Sequence, residues 1–218
     1  MDHNPHLPKE KLRVVREGYP YIAGSLFLTS LGFLHSLISG LVFLLLSAFT
    51  TFFFRDPPRK IPNDKKVIVS PADGYVVGIE TVDNPPLLNK PATKISIFLT
   101  LFDVHINRSP LSGWVREILY SPGRKLPAFF RSACENERKL WVIEGEGGIT
   151  ILMTQIAGIL ARRIVQWVPE GSYVTLGQKI GMIKFGSRTE LILPKNVKVI
   201  VRKGQRVKAG ETIVALLP

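Results

Sequence analysis

Gly171-Ser172-Tyr173-Val174-Thr175-Leu176-Gly177-Gln178-Lys179-Ile180 and Gly204-Gln205-Arg206-Val207-Lys208-Ala209-Gly210-Glu211-Thr212-Ile213 carry one pattern, Gly-x-x-Val-x-x-Gly-x-x-Ile, at an offset of 33 residues. Glycine suits turns, and β-branched residues pack well on a pleated surface, so the two copies predict two quasi-equivalent hairpins. Upstream, Val67-Ile68-Val69, Tyr75–Ile79, Ile95–Leu99, Trp114–Tyr120, Trp141-Val142-Ile143 and Ile149–Met153 are short β-rich runs separated by Gly, Pro, Asn and Asp. Residues 67–218 are therefore expected to form one mainly β domain. Within it, only Ala128–Lys139, with helix formers and charges alternating, reads as a helix.

The doubled pattern resembles the hairpins of lipoyl- and biotinyl-type barrel-sandwich domains, which sets the expected architecture: mainly β (α+β), with a barrel-sandwich-like core. Between the two copies lies Lys184-Phe185-Gly186-Ser187-Arg188-Thr189-Glu190-Leu191-Ile192-Leu193-Pro194. A hydroxyl directly after a glycine can attack that glycine's carbonyl, because glycine leaves the approach open and tolerates distortion. The resulting ester, followed by elimination across the serine Cα–Cβ bond and hydrolysis, would cut the chain and leave a pyruvoyl group at position 187. Most Gly-Ser pairs are ordinary turns. The connection between the copies is expected to hold Ser187 strained and exposed.

The 218 residues, 45% of them apolar, suffice for one catalytic domain plus an appendage. A single cysteine, Cys134, excludes an intrachain disulfide, fits a reducing compartment and offers no thiolate metal site. Net charge is +12, and Lys184–Lys208 holds eight basic residues against Glu190 alone. Such a basic face suits nucleic acid, an anionic bilayer or an acidic substrate. It lacks interleaved aromatics, which argues against nucleic acid.

Residues 1–17 form a polar arm, and from Gly18 to Phe54 no residue is charged. That run is too long for a signal-peptide core and nearly twice one bilayer crossing, which takes about 20 residues. Gly32-Phe33-Leu34-His35-Ser36-Leu37-Ile38-Ser39-Gly40 is its polar, flexible middle, so residues 18–54 are expected to be a membrane-embedded helical hairpin turning near His35–Gly40. Arg13 and Arg16 before it, and Arg55, Arg59, Lys60, Lys65 and Lys66 after it, place both ends in the cytoplasm by the positive-inside rule. One long tilted span is the alternative. Residues 55–66 are a proline-stiffened linker.

Four motifs in order, Pro71-Ala72-Asp73-Gly74, Asp103-Val104-His105-Ile106-Asn107-Arg108, Gln155–Ile164 and Phe185-Gly186-Ser187-Arg188-Thr189, resemble the short phosphatidylserine decarboxylases over roughly residues 50 to 218. The resemblance implies self-cleavage between Gly186 and Ser187 into a β chain, 1–186, and an α chain, 187–218, that stay together as a heterodimer and could dimerise further. It implies a pyruvoyl cofactor made from Ser187, no metal, and decarboxylation of phosphatidylserine to phosphatidylethanolamine at the cytoplasmic side of the cell membrane. His105 is the one histidine in the catalytic domain and is the expected base and later proton donor. Asp73 is its implied orienter; apart from the resemblance it reads as a turn carboxylate.

Longer family members carry a second histidine three places on, where this chain has Arg108. Arg108 cannot act as a base but could bind a phosphate or carboxylate. Arg188 and Asn136 are the other candidate substrate contacts, with Gly123-Arg124-Lys125, Arg131, Arg162 and Arg163 weighed beside them as surface or structural charges. The same chemistry could act on an ether lipid, archaetidylserine. A non-enzymatic membrane-anchored adaptor or carrier is the reading from a different class, although Lys184 lacks a carrier motif around it.

Overall fold

A computed structural model describes residues 13–85, 87–88, 90–124, 136–158, 164–184 and 187–218. The chain divides into two compact units between Arg59 and Lys60, inside the predicted linker.

In the first unit, β1 (Arg13–Val14) pairs antiparallel with β2 (Arg55–Asp56), closing the ends of a helical hairpin made of α1 (Tyr19–His35) and α2 (Leu37–Phe53). The turn is Ser36 alone, in extended conformation, whose Oγ accepts from Ser39 N at 3.2 Å and caps α2. Small residues let the helices close: a Cβ added to Gly40 would sit 2.2 Å from the Phe33 ring. The seam is polar, with Ser25, Thr29 and Ser47 buried and Thr29 Oγ1 3.0 Å from Ser47 Oγ, whereas Phe27, Leu34, Ile38 and Leu45 point outward and are exposed. Each helix has 17 residues, or about 26 Å at the α-helical rise, against a hydrocarbon core of about 30 Å. No helix among the described residues is long and apolar enough to cross a membrane. The helical hairpin expected for residues 18–54 is thus present, but the length of its helices does not support the membrane embedding expected of it.

The second unit is mainly β, as the sequence reading expects. Its strands are β3 (Val67–Val69), β4 (Gly74–Val82), β5 (Ala92–Leu99), β6 (Ile106–Arg108), β7 (Gly113–Ser121), β8 (Arg138–Gly145), β9 (Thr150–Ala157), β10 (Ile164–Gln166), β11 (Tyr173–Val174), β12 (Lys179–Ile183), β13 (Ser187–Pro194), β14 (Lys198–Val199), β15 (Arg206–Val207) and β16 (Ile213–Leu216). Eight form one antiparallel sheet in the order β11-β7-β8-β9-β13-β5-β4-β15; β10-β12-β6 and β14-β16-β3 form two smaller sheets. Ile97, Val115, Trp141, Met153, Leu191, Val207 and Val214, each nearly or fully inaccessible, belong to one hydrophobic core drawn from these strands.

The repeat glycines do what the pattern predicts: Gly171, Gly177, Gly204 and Gly210 all have φ between 72° and 85°, the left-handed region that side chains resist. The structure also shows a second duplication. Ser70-Pro71-Ala72-Asp73-Gly74-Tyr75-Val76 and Ser109-Pro110-Leu111-Ser112-Gly113-Trp114-Val115 lead into β4 and β7, which have the same length and the same bulge after the third residue. Each pairs with one hairpin copy, Tyr75 with Arg206 and Trp114 with Tyr173. The two ends of the long sheet are therefore structural twins, and the hairpin repeat is half of a larger one.

Two expectations need correction. Ser187 is not in an exposed connection. It is fully buried and opens the eight-residue β13, which hydrogen-bonds to β5 on one side and β9 on the other. The physical reason is the alternation along the strand, where Ser187, Thr189, Leu191 and Leu193 turn inward together. In the proposed helix 128–139, Arg138 and Lys139 belong to β8, where cross-strand pairing with β7 and β9 overrides helical propensity; residues 128–135, with Arg131 and Cys134, lie outside the described residues, as do Lys125, Arg162 and Arg163.

Candidate active site

Strand register gathers the sequence motifs at one end of the long sheet. Tyr75 and Arg188 both pair with Phe98, and Ile156 pairs with Arg188, so Gly74, Leu99, Ser187 and Ala157 form the next row across four adjacent strands. Neighbouring strands lie about 4.8 Å apart, which puts the Asp73-Gly74 backbone roughly 10 Å from Ser187. Gly74 is required there: with φ of 143°, an added Cβ would meet the Phe98 carbonyl oxygen at 2.1 Å. Ser187 Oγ is buried and has no hydrogen-bond partner among the described residues. A buried hydroxyl without a partner costs on the order of 1–3 kcal/mol, so this one sits in an unrelieved state. Gly186, the other half of the predicted cleavage site, lies outside the described residues.

From Leu99 the chain turns through Thr100–Val104 into His105. The Asp103 carboxylate locks that turn, accepting from Thr100 N at 2.8 Å and Thr100 Oγ1 at 2.7 Å on one oxygen and from Arg206 Nη2 at 3.3 Å on the other. His105 is fully buried, and its Nδ1 lies 2.9 Å from the Asp103 carbonyl oxygen. A carbonyl only accepts, so Nδ1 carries the proton and Nε2 has the lone pair in the neutral ring. The His105 carbonyl accepts from Ile183 N at 3.2 Å, four residues before Ser187.

Asp73 is buried, and its Oδ1 accepts from Ala209 N at 2.7 Å. Its twin in the second duplication is Ser112, whose Oγ accepts from Leu176 N at 2.8 Å at the equivalent turn. Each end of the sheet thus ties its hairpin turn with one side-chain oxygen, and only the β4–β15 end uses a carboxylate. Asp103, whose carbonyl oxygen holds the His105 ring, is a candidate position that the sequence does not single out; its place two residues before the histidine is the available signal.

The candidate substrate contacts are held by the protein itself. Arg108 Nη1 donates to the Gly177 carbonyl at 2.9 Å. Arg188 pairs with Glu190 at 3.0 Å, both side chains largely buried, so Arg188 is not part of the surface basic face. Asn136 is buried, and its Nδ2 donates to the Ala157 carbonyl at 2.8 Å, next to Ser187 in the row. Away from the site, burial lowers the Lys139 ammonium below the usual lysine range, with Glu137 opposing the shift. Among the described residues no three His, Cys, Asp or Glu side chains form a metal-ligating group.

A second set of side chains joins the motifs beneath the row. Trp141 Nε1 donates to Gln155 Oε1 at 2.7 Å, Gln155 Nε2 to Asn107 Oδ1 at 2.8 Å, and Asn107 Nδ2 to Thr189 Oγ1 at 3.1 Å and the Pro71 carbonyl at 3.3 Å. Asn107, Gln155 and Thr189 are fully inaccessible.

A mainly β domain with a buried serine hydroxyl heading a central strand, bonded to none of the described residues, together with a fully buried histidine, defines a class of site suited to attack by the serine on its own chain. Comparison with known proteins gives the family. Residues 46–215 match the model of the phosphatidylserine decarboxylase family. The phosphatidylserine decarboxylase proenzyme of Carboxydothermus hydrogenoformans is 46% identical over 207 residues, covering 94% of this chain and 97% of that protein. Those of Syntrophus aciditrophicus and Erythrobacter litoralis are 45% and 48% identical over 202 and 176 residues, covering 91% and 75% of this chain and 95% and 71% of those proteins. The chain belongs to the phosphatidylserine decarboxylase family.

Proposed function

We propose that this chain is a proenzyme that cuts itself between Gly186 and Ser187 and then decarboxylates phosphatidylserine to phosphatidylethanolamine and carbon dioxide. The observation that carries the reading is the buried Ser187 Oγ at the head of β13, which none of the described residues hydrogen-bonds, in a chain of this family. His105 Nε2 takes the proton from Ser187 Oγ as that oxygen attacks the Gly186 carbonyl carbon. The peptide C–N bond breaks, the nitrogen gains a proton, and an ester joins Gly186 to the serine oxygen. Loss of the Ser187 Cα proton and cleavage of the Cβ–O bond release the Gly186 carboxylate and leave dehydroalanine. Its tautomer takes up water and loses ammonia, leaving the pyruvoyl group.

That group would supply a carbonyl that accepts the substrate amine and draws electrons as the carboxylate leaves. His105 would return a proton to the substrate Cα, and its anchored Nδ1 fixes which nitrogen handles it. The pieces 1–186 and 187–218 stay associated, because β13 is hydrogen-bonded to β5 and β9 and β16 to β3, all pairings between the two pieces.

The helical hairpin, apolar outward and basic at both ends, anchors the chain at the cytoplasmic face of the cell membrane without needing to cross it. Membranes washed in high salt should keep the protein and detergent should release it; release by salt alone would contradict the anchor. The activity itself is tested on phosphatidylserine in detergent micelles. Equimolar carbon dioxide and phosphatidylethanolamine, abolished by prior borohydride, are expected; turnover that survives borohydride would refute the carbonyl chemistry, and a parallel ether-lipid substrate tests whether the glycerol linkage matters.

A further inference from the structure

The buried hydrogen-bond relay is placed with unusual regularity. Asn107 is two residues after His105, Thr189 two after Ser187, and Pro71 two before Asp73. Ser187 and Thr189 are alternate residues of β13 and share its buried face, and each of the other two relay groups lies two residues from a residue of the proposed chemistry. Gln155 completes the set, since it pairs with Thr189 just as Ala157 pairs with Ser187. All four sequence motifs therefore contribute to one connected network, although the three chemical residues themselves occupy three different segments.

We infer that Asn107, Gln155 and Thr189 are positioning residues for self-cleavage: their relay fixes the register of the Ser187, His105 and Asp73 segments relative to one another. The inference rests on the self-processing reading above. Asn107 is the hub. Its Oδ1 accepts from β9, while its Nδ2 serves both β13 and the Pro71 carbonyl, and no apolar residue of the same shape offers that combination. Trp141 holds the far end by fixing the Gln155 amide so that Nε2 faces Asn107. A relay needed only for stability could be replaced by close-packed apolar groups at little cost. A relay that sets the attack geometry could not, since a displacement of about 1 Å at reacting atoms can cost on the order of a hundredfold in rate.

The full-length chain is synthesised in a cell-free system with detergent micelles, and appearance of the 187–218 fragment is timed by intact mass, with thermal midpoints measured on the same samples. Thr189→Val, which deletes the hydroxyl and keeps the shape, should slow cleavage by about tenfold or more. Thr189→Ser should restore it to within about threefold. Gln155→Leu and Asn107→Leu should be at least as slow as Thr189→Val. Ile143→Val, a buried core change outside the relay, should lower the midpoint and leave the rate within about twofold.

Thr189→Val cutting at the unsubstituted rate, in a chain that is otherwise processed, would overturn the positioning role and leave the function intact. Rates that simply track the midpoint across all variants, Ile143→Val included, would make the relay structural only. An unsubstituted chain that is never cut would overturn both this inference and the functional reading.

Discussion

Ser187→Ala is expected to yield one uncut chain of 24.4 kDa with no decarboxylase activity and a thermal midpoint equal to or above that of the unprocessed parent. The loss is complete because no other atom at position 187 can form the ester or become the carbonyl. The stability expectation comes from the same observation that marks the site. A hydroxyl buried without a partner among the described residues costs on the order of 1–3 kcal/mol, and the alanine has no such group to leave unsatisfied. A sharp drop in midpoint would mean that Ser187 has a structural bond in the uncut chain. A cut in this variant would overturn the mechanism.

His105→Ala is expected to slow cleavage by roughly a hundredfold or more, the usual range for loss of a general base. His105→Gln keeps an amide donor for the Asp103 carbonyl but has no basic nitrogen. It should fold better than His105→Ala and cleave as slowly. Normal cleavage with lost turnover would place the base for cleavage elsewhere and confine His105 to the protonation step. Asp73 provides the contrast. Its bond to Ala209 N is matched by Ser112 and Leu176 at the other end of the sheet, so Asp73→Asn retains an acceptor for the turn. Whatever cleavage rate Asp73→Asn loses then reflects the carboxylate charge, read as the ratio of its rate to that of Asp73→Ser.

Much of this architecture was readable from residues alone, and the failures have specific causes. The charge-free run from Gly18 to Phe54 and its polar, flexible middle at Gly32–Gly40 make the helical hairpin legible, because turn chemistry acts locally. The glycines at 171, 177, 204 and 210 gave the hairpin copies, because only glycine readily takes that backbone. Ser187 was misplaced as exposed because Ser and Thr at 187 and 189 hide the inward face that Leu191 and Leu193 make plain.

The larger duplication escaped because its copies differ most where they matter, Asp73 against Ser112, and because its halves are interleaved with the hairpins rather than adjacent to them. The relay escaped for a deeper reason. Asn107, Gln155 and Thr189 come from three distant strands, and each alone reads as an ordinary polar residue in a β segment. Only the β9–β13 register, with β6 of a separate sheet packed against it, brings them together.

Intact-mass spectrometry of the purified, detergent-solubilised protein, with and without borohydride, tests the central claim most directly. The account predicts two chains, 1–186 and 187–218, the smaller beginning with a pyruvoyl group in place of serine and gaining two hydrogens on reduction. A single chain of the mass encoded by all 218 residues, unchanged by borohydride and inactive on phosphatidylserine, would contradict it.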